Sequence, residues 1–68
     1  MSEQTETIAE FELPYRRKAT LKLASFDSGM QMLRLVLREG MRITQVDLDA
    51  ETARKMASVM NEYADRNA

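Results

Sequence analysis

The chain of 68 residues has no cysteine, no histidine and no tryptophan, and only one proline and two glycines. Without cysteine there is no disulfide. Without cysteine and histidine the usual ligands of a zinc site are missing. The usual neutral-pH base and the strongest nucleophile of enzymes are missing too. Two carboxylate pairs remain, Glu10 with Glu12 and Asp47 with Asp49. The plainer reading makes the first pair solvated edge charges and Asp49 a helix cap. Gly29 and Gly40 stand alone, so no phosphate-binding glycine loop is present. The sequence therefore reads as a non-enzyme with no cofactor and no metal. No stretch approaches the ~20 apolar residues of a transmembrane helix. The opening MSEQTETIAE is acidic and polar, unlike a secretory leader. The expected compartment is the cytoplasm, with no membrane contact.

What is present is 44% hydrophobic and 31% charged, a globular composition. A chain of this length buries only roughly 60% of its unfolded surface. One core of that size yields about 3–5 kcal/mol. Self-association is the remaining way to reinforce it. The net charge of −1 conceals a pattern. Glu3, Glu6, Glu10 and Glu12 make residues 1–15 acidic. Residues 16–42 carry Arg16, Arg17, Lys18, Lys22, Arg34, Arg38 and Arg42 against Asp27 and Glu39. The last third is acidic again.

Residues 1–6 read as a disordered acidic tail, and residues 7–66 as one domain. TIAEFEL, residues 7–13, alternates Ala9, Phe11 and Leu13 with Glu10 and Glu12, the period of a half-buried strand. Pro14 ends it. RKATLKLASF, residues 17–26, is a second strand, with Ala19, Leu21 and Leu23 on one side. The segment Asp27-Ser28-Gly29 is a turn signal. MQMLRLVLR and MRITQVDL follow as third and fourth strands.

The last hairpin offers two registers. A turn at Glu39-Gly40 asks glutamate for positive φ. A three-residue loop, Arg38-Glu39-Gly40, places Gly40 at the left-handed position. It pairs Leu37 with Met41 and Leu35 with Ile43. The second register is the expected one, because it keeps apolar and basic faces apart. Val46 and Leu48 then have the wrong parity. Either a bulge near Gln45 returns them to the core, or they join an outer strip with Met30, Met32 and Val36.

Asp49 is a good N-cap, and Ala53, Met56, Ala57, Met60, Tyr63 and Ala64 form one apolar helical stripe. The expected fold is α+β: a four-stranded antiparallel meander followed by one C-terminal amphipathic helix packed on the sheet, ββββα. One helix is too narrow to cover four strands, so a homodimer is expected.

Lys18, Lys22, Arg34, Arg38 and Arg42 form the candidate basic binding face. Its partner would be single-stranded nucleic acid or an acidic protein. The plainer alternative is that these cations only solvate an open face. Met30, Met32 and Val36 form the candidate interface, since methionine suits adaptable contacts. The leading reading is a small non-catalytic, homodimeric protein-interaction module. Nucleic-acid binding is its alternative.

The segments ELPYRR, SGMQMLRLVLREGMRITQVDLD and AETARKMA resemble a family of very short uncharacterised bacterial proteins. That resemblance covers residues 8–64 and implies a bacterial origin but no activity. RLVLREGMRITQVDLDAETARKMA is more loosely similar to the transcriptional coactivators called positive cofactor four. That similarity implies strands followed by a dimerising helix, and single-stranded DNA on the sheet. The basic segment of those coactivators is thinner here and the hairpin shorter.

Overall fold

Side chains that alternate along a strand point to opposite faces, so pairing decides which residues share a surface. In the computed structural model, which describes residues 3–67, four strands form one antiparallel sheet in the order β1-β2-β3-β4. They are β1 (Glu3–Leu13), β2 (Arg17–Phe26), β3 (Gln31–Glu39) and β4 (Arg42–Leu48), followed by α1 (Ala50–Asn67). The meander and its terminal helix are those the alternation and the 3.6-residue stripe call for.

Three expectations are corrected. The alternation that starts at Thr7 predicts a tail before it, but residues 3–6 belong to β1 and pair with residues 23–26 of β2. Met1 and Ser2 lie outside the described residues. The second correction is the last hairpin. Glu39 pairs with Arg42 across a two-residue turn, with Gly40 at φ +61° in the first loop position. Glycine first and any residue second is the signature of a type II′ turn, whose twist matches the flanking strands. Leu37 therefore pairs with Thr44, Leu35 with Val46 and Leu33 with Leu48. Val46 and Leu48 join the leucines with no bulge at Gln45. Ile43 lies opposite, beside Arg38, and Met41 at the tip is fully exposed.

A register shift does occur, in β1 between Thr7 and Ala9. It places Ile8 out of the ladder and inverts the parity of the strand. Thr7 pairs with Lys22, whereas Ala9 pairs with Leu21 and Phe11 with Ala19. The bulge thus gives the second half of β1 to the leucine face.

Third, the helix covers little of the sheet. Asp49 caps it, accepting the Thr52 N–H at 2.9 Å. Lys55 and Glu51 pair one turn apart at 3.5 Å. The helix packs lightly against β3. Ala53 and Met56 are half-buried, while Ala57, Met60 and Tyr63 are exposed. The expected packing of the whole stripe on the leucines is realised only in the first two turns.

Only Ala19 and Ala24 are buried among the described residues. Leu21, Leu23, Leu33 and Leu35 are half-buried, and Phe11, Leu37 and Val46 are exposed. The chain measures 43 × 30 × 15 Å, a slab rather than a ball. It exposes 5743 Å². A compact monomer of its 7.8 kDa exposes about 4,400 Å².

Candidate functional site

The pairing sorts the sheet into two faces. The leucine face carries Phe11, Leu21, Leu23, Leu33, Leu35, Leu37, Val46 and Leu48 around Ala9 and Ala19. Polar rows bound it at both ends. At one end Leu13, Arg17, Glu39 and Arg42 lie side by side, with Arg17 and Glu39 ion-paired at 2.7 Å. At the other, the Gln31 side-chain amide donates to the Ser25 hydroxyl at 3.3 Å. An apolar centre with a polar rim is the anatomy of a protein interface.

The opposite face is charged. Lys18 sits across from Arg38, and Lys22 across from Arg34. Glu10 and Glu12 flank them on β1, and Asp47 and Gln45 on β4. Four of the five expected basic residues therefore share this face. Arg42 does not, because the true hairpin register turns it to the leucine side. Met32 and Val36 lie among the cations, across from Ala24 and Thr20. Met30 lies outside the strands, in the β2–β3 loop. The three do not form a continuous apolar strip. The larger apolar surface is the leucine face.

Arg34 is the organised centre of the charged face. Its Nε and Nη2 donate to the two Asp47 carboxylate oxygens at 2.8 and 3.1 Å, and its Nη1 donates to Glu3. A two-pronged contact of this kind fixes geometry as well as charge. The hydrogen bond from Arg34 holds the Asp47 carboxyl below the usual carboxylate range, and the same bonds hold Arg34 more firmly in its charged form. In the ladder, Ala24 lies on β2 between Arg34 on β3 and Glu3 on β1. Among the described residues it is the one with no exposed surface. A methyl group there lets the guanidinium reach across. Arg34 and Glu3 are 31 residues apart, so no local pattern announces their pairing.

Lys18, Lys22 and Arg38 have no ion-pair partner among the described residues. They line an open depression of about 440 Å³ together with Thr7, Thr20, Glu10 and Val36. Among the described residues, no three acidic side chains converge as a cation site requires. No helix of the described residues is long and apolar enough to cross a membrane.

Between β1 and β2, Tyr15 and Arg16 both adopt left-handed backbone, at φ +64° and +61°. Neither is glycine, and each such residue stores about 1–3 kcal/mol of strain. Tyr15 is 85% exposed. The Arg17 guanidinium carbon lies 5.8 Å from its ring centre, within cation–π range. Nothing in Pro14-Tyr15-Arg16 signals this conformation, which favours glycine or asparagine.

A model of a family of unknown function, DUF6967, matches residues 2–66, and the chain belongs to that family. No curated protein and no solved structure matches it.

Proposed function

For this member of a family of unknown function, we propose a non-catalytic homodimeric interaction module of the bacterial cytoplasm. The second copy covers the leucine face and the outer half of the helix stripe. One observation carries the reading. The single chain exposes roughly 1,300 Å² more than a compact monomer of its mass. Two chains that bury this excess against each other bury about 2,600 Å² in total, within the range of obligate homodimers. The excess is apolar where it matters. Phe11, Leu37, Val46, Met60 and Tyr63 are each at least 39% exposed.

The polar rows at both ends of the leucine face support a face-to-face arrangement, since they form a ready rim. Such an interface is isologous, the same patch meeting itself across a two-fold axis. Leucines half-exposed in one chain become a core shared by two. The lack of histidine and cysteine supports the non-catalytic part of the reading.

Sedimentation equilibrium at tens of micromolar tests the proposal. The expected mass is twice the 7.8 kDa of the chain. The thermal midpoint is also expected to rise with protein concentration. A single species of chain mass with a concentration-independent midpoint overturns it.

A further inference from the structure

An open sheet has two edges, and each leaves a row of backbone N–H and C=O groups without a strand to pair with. Here the edges are β1 and β4, and they are built oppositely. β1 carries Glu3, Glu6, Glu10 and Glu12 and no base, has a bulge at Ile8, and runs into Pro14. Carboxylates, a bulge and a proline are devices that keep a second strand away. β4 has no bulge and no proline. Its centre, Ile43-Thr44-Gln45-Val46, is uncharged and rich in β-branched residues. Residues 42–47 are all exposed. The main strand contact of α1 is with β3, and among the described residues no loop or helix backbone hydrogen-bonds to β4.

We propose that the outer edge of β4 pairs with β4 of a second copy, antiparallel and about a two-fold axis through Gln45. The strand is self-complementary. Its 7 residues, Arg42–Leu48, have Gln45 at their midpoint. Full overlap therefore sets Gln45 opposite itself, Thr44 opposite Val46 and Ile43 opposite Asp47. Each of these pairs joins residues of the same face. Two glutamine amides on the axis can each donate to and accept from the other. Charge makes the pairing directional, because the strand begins on a cation and ends among acids. Arg42 falls across from Leu48 of the other copy, whose chain neighbours are Asp47 and Asp49. Among the described residues Arg42 has no ion-pair partner, since Glu39 is taken by Arg17. A parallel pairing would bring like charges together instead.

Such a pair uses up both open edges and leaves only the guarded β1 edges outside. Association then stops at two copies per sheet and does not run on as a fibre. The product is one sheet with four strands from each copy. Its axis stands perpendicular to the sheet, so both leucine faces lie on one side and stay free to meet partners of their own. The edge is a second interface beside the face-to-face one and does not rest on it. It is one strand wide and roughly 24 Å long. That is the small end of interface sizes, so it fills at higher concentration than the leucine face. With both interfaces engaged, the assembly holds four chains.

Sedimentation equilibrium carried from tens of micromolar to about 1 mM tests the proposal. A doubling of mass is expected over that range, from two chains to four, or from one to two if the leucine faces do not pair. Gln45→Lys sets two ammonium groups against each other on the axis and is expected to abolish the doubling. The chain has no cysteine, so Gln45→Cys supplies a single thiol per copy. Directly opposed residues of an antiparallel pair lie within disulfide reach. Copper-phenanthroline oxidation is expected to link Gln45→Cys chains roughly tenfold faster than Thr7→Cys chains, whose thiol sits on the same face at the guarded edge. None of these substitutions touches the leucine face, and circular dichroism confirms that each variant folds. A wild-type mass that does not change up to the highest concentration overturns the inference. So does a doubling that persists in Gln45→Lys, and so do equal cross-linking rates at the two positions, which would leave the edge to a strand of another protein.

Discussion

The leucine face and the charged face come from the same four strands, and only the charged face reaches its organised state within one chain. There, Arg34 draws Glu3 from one edge strand and Asp47 from the other and seals Ala24 beneath them. On the leucine face, side chains that prefer to be dry remain half-exposed, and the helix shelters little beyond Ala53 and Met56. The difference teaches how directional and non-directional forces act in a thin molecule. An ion pair needs only two or three residues in the right places. Apolar burial needs a second layer of comparable area, and 18 helical residues lying mostly off the sheet do not supply one.

Adjacent residues of β3 give the strongest way to break this comparison. Leu35→Asp puts a charge at the centre of the leucine face. In the dimer it is expected to abolish cooperative unfolding, a loss of more than about 4 kcal/mol. Val36→Asp, one position along and on the other face, is expected to leave a cooperative transition in place. Urea melts followed by circular dichroism read both. Equal, small losses would mean that the leucine face stays wet.

A smaller effect is expected at Ala24. Ala24→Leu inserts three carbons where Arg34 crosses β2, and overpacking of that kind costs about 1–3 kcal/mol. The same substitution at Ala50, exposed in the first turn of the helix and off its apolar stripe, is expected to be near neutral. Thermal midpoints of the two variants compare the sites directly.

The smallest expected effect appears as pH dependence. Asp47 titrates below the ordinary carboxylate value near 3.9 because Arg34 donates to it. A group whose folded pKa is depressed contributes stability above its unfolded pKa, and that contribution is lost as pH falls through the folded pKa. Stability should therefore decline below about pH 4. Arg34→Ala should remove the part of the decline that belongs to Asp47 and return the Asp47 carboxyl resonance to an ordinary titration. Carboxyl-detected NMR from pH 5 downward, with urea melts over the same range, checks both. An unchanged Asp47 titration in Arg34→Ala would refute the assignment.

Much of the architecture was legible. The alternation in residues 17–26 predicts β2 to the residue, and Pro14 marks the end of β1. The last hairpin was not, although a signal stood in plain view. Val46 and Leu48 fit the leucine face without a bulge only if Gly40 opens a two-residue turn with Met41, and Gly-X is the type II′ pattern. The register that keeps leucines away from arginines puts Arg42 on the charged face, whereas the observed pairing with Glu39 turns it to the leucine side. The bulge at Ile8 and the left-handed Tyr15 and Arg16 carry no comparable mark. Residue types there do not differ from those of a plain strand and a plain turn. Of the basic residues, the sequence brings Lys18, Lys22, Arg34 and Arg38 to one face by parity alone. It cannot tell that Arg34 is spoken for and that Lys18 and Arg38 are not.

By itself, then, the sequence determined the local pattern: four strands of period two, a capped helix, an apolar and a charged side. These follow from backbone geometry, which acts between near neighbours. Only the tertiary structure decided the pairing of the last strand, the clamp of Glu3 and Asp47 on Arg34, and the bareness of the leucine face. Each of these depends on where distant parts of the chain come to rest, and a bulge or turn of a single residue is enough to redirect it.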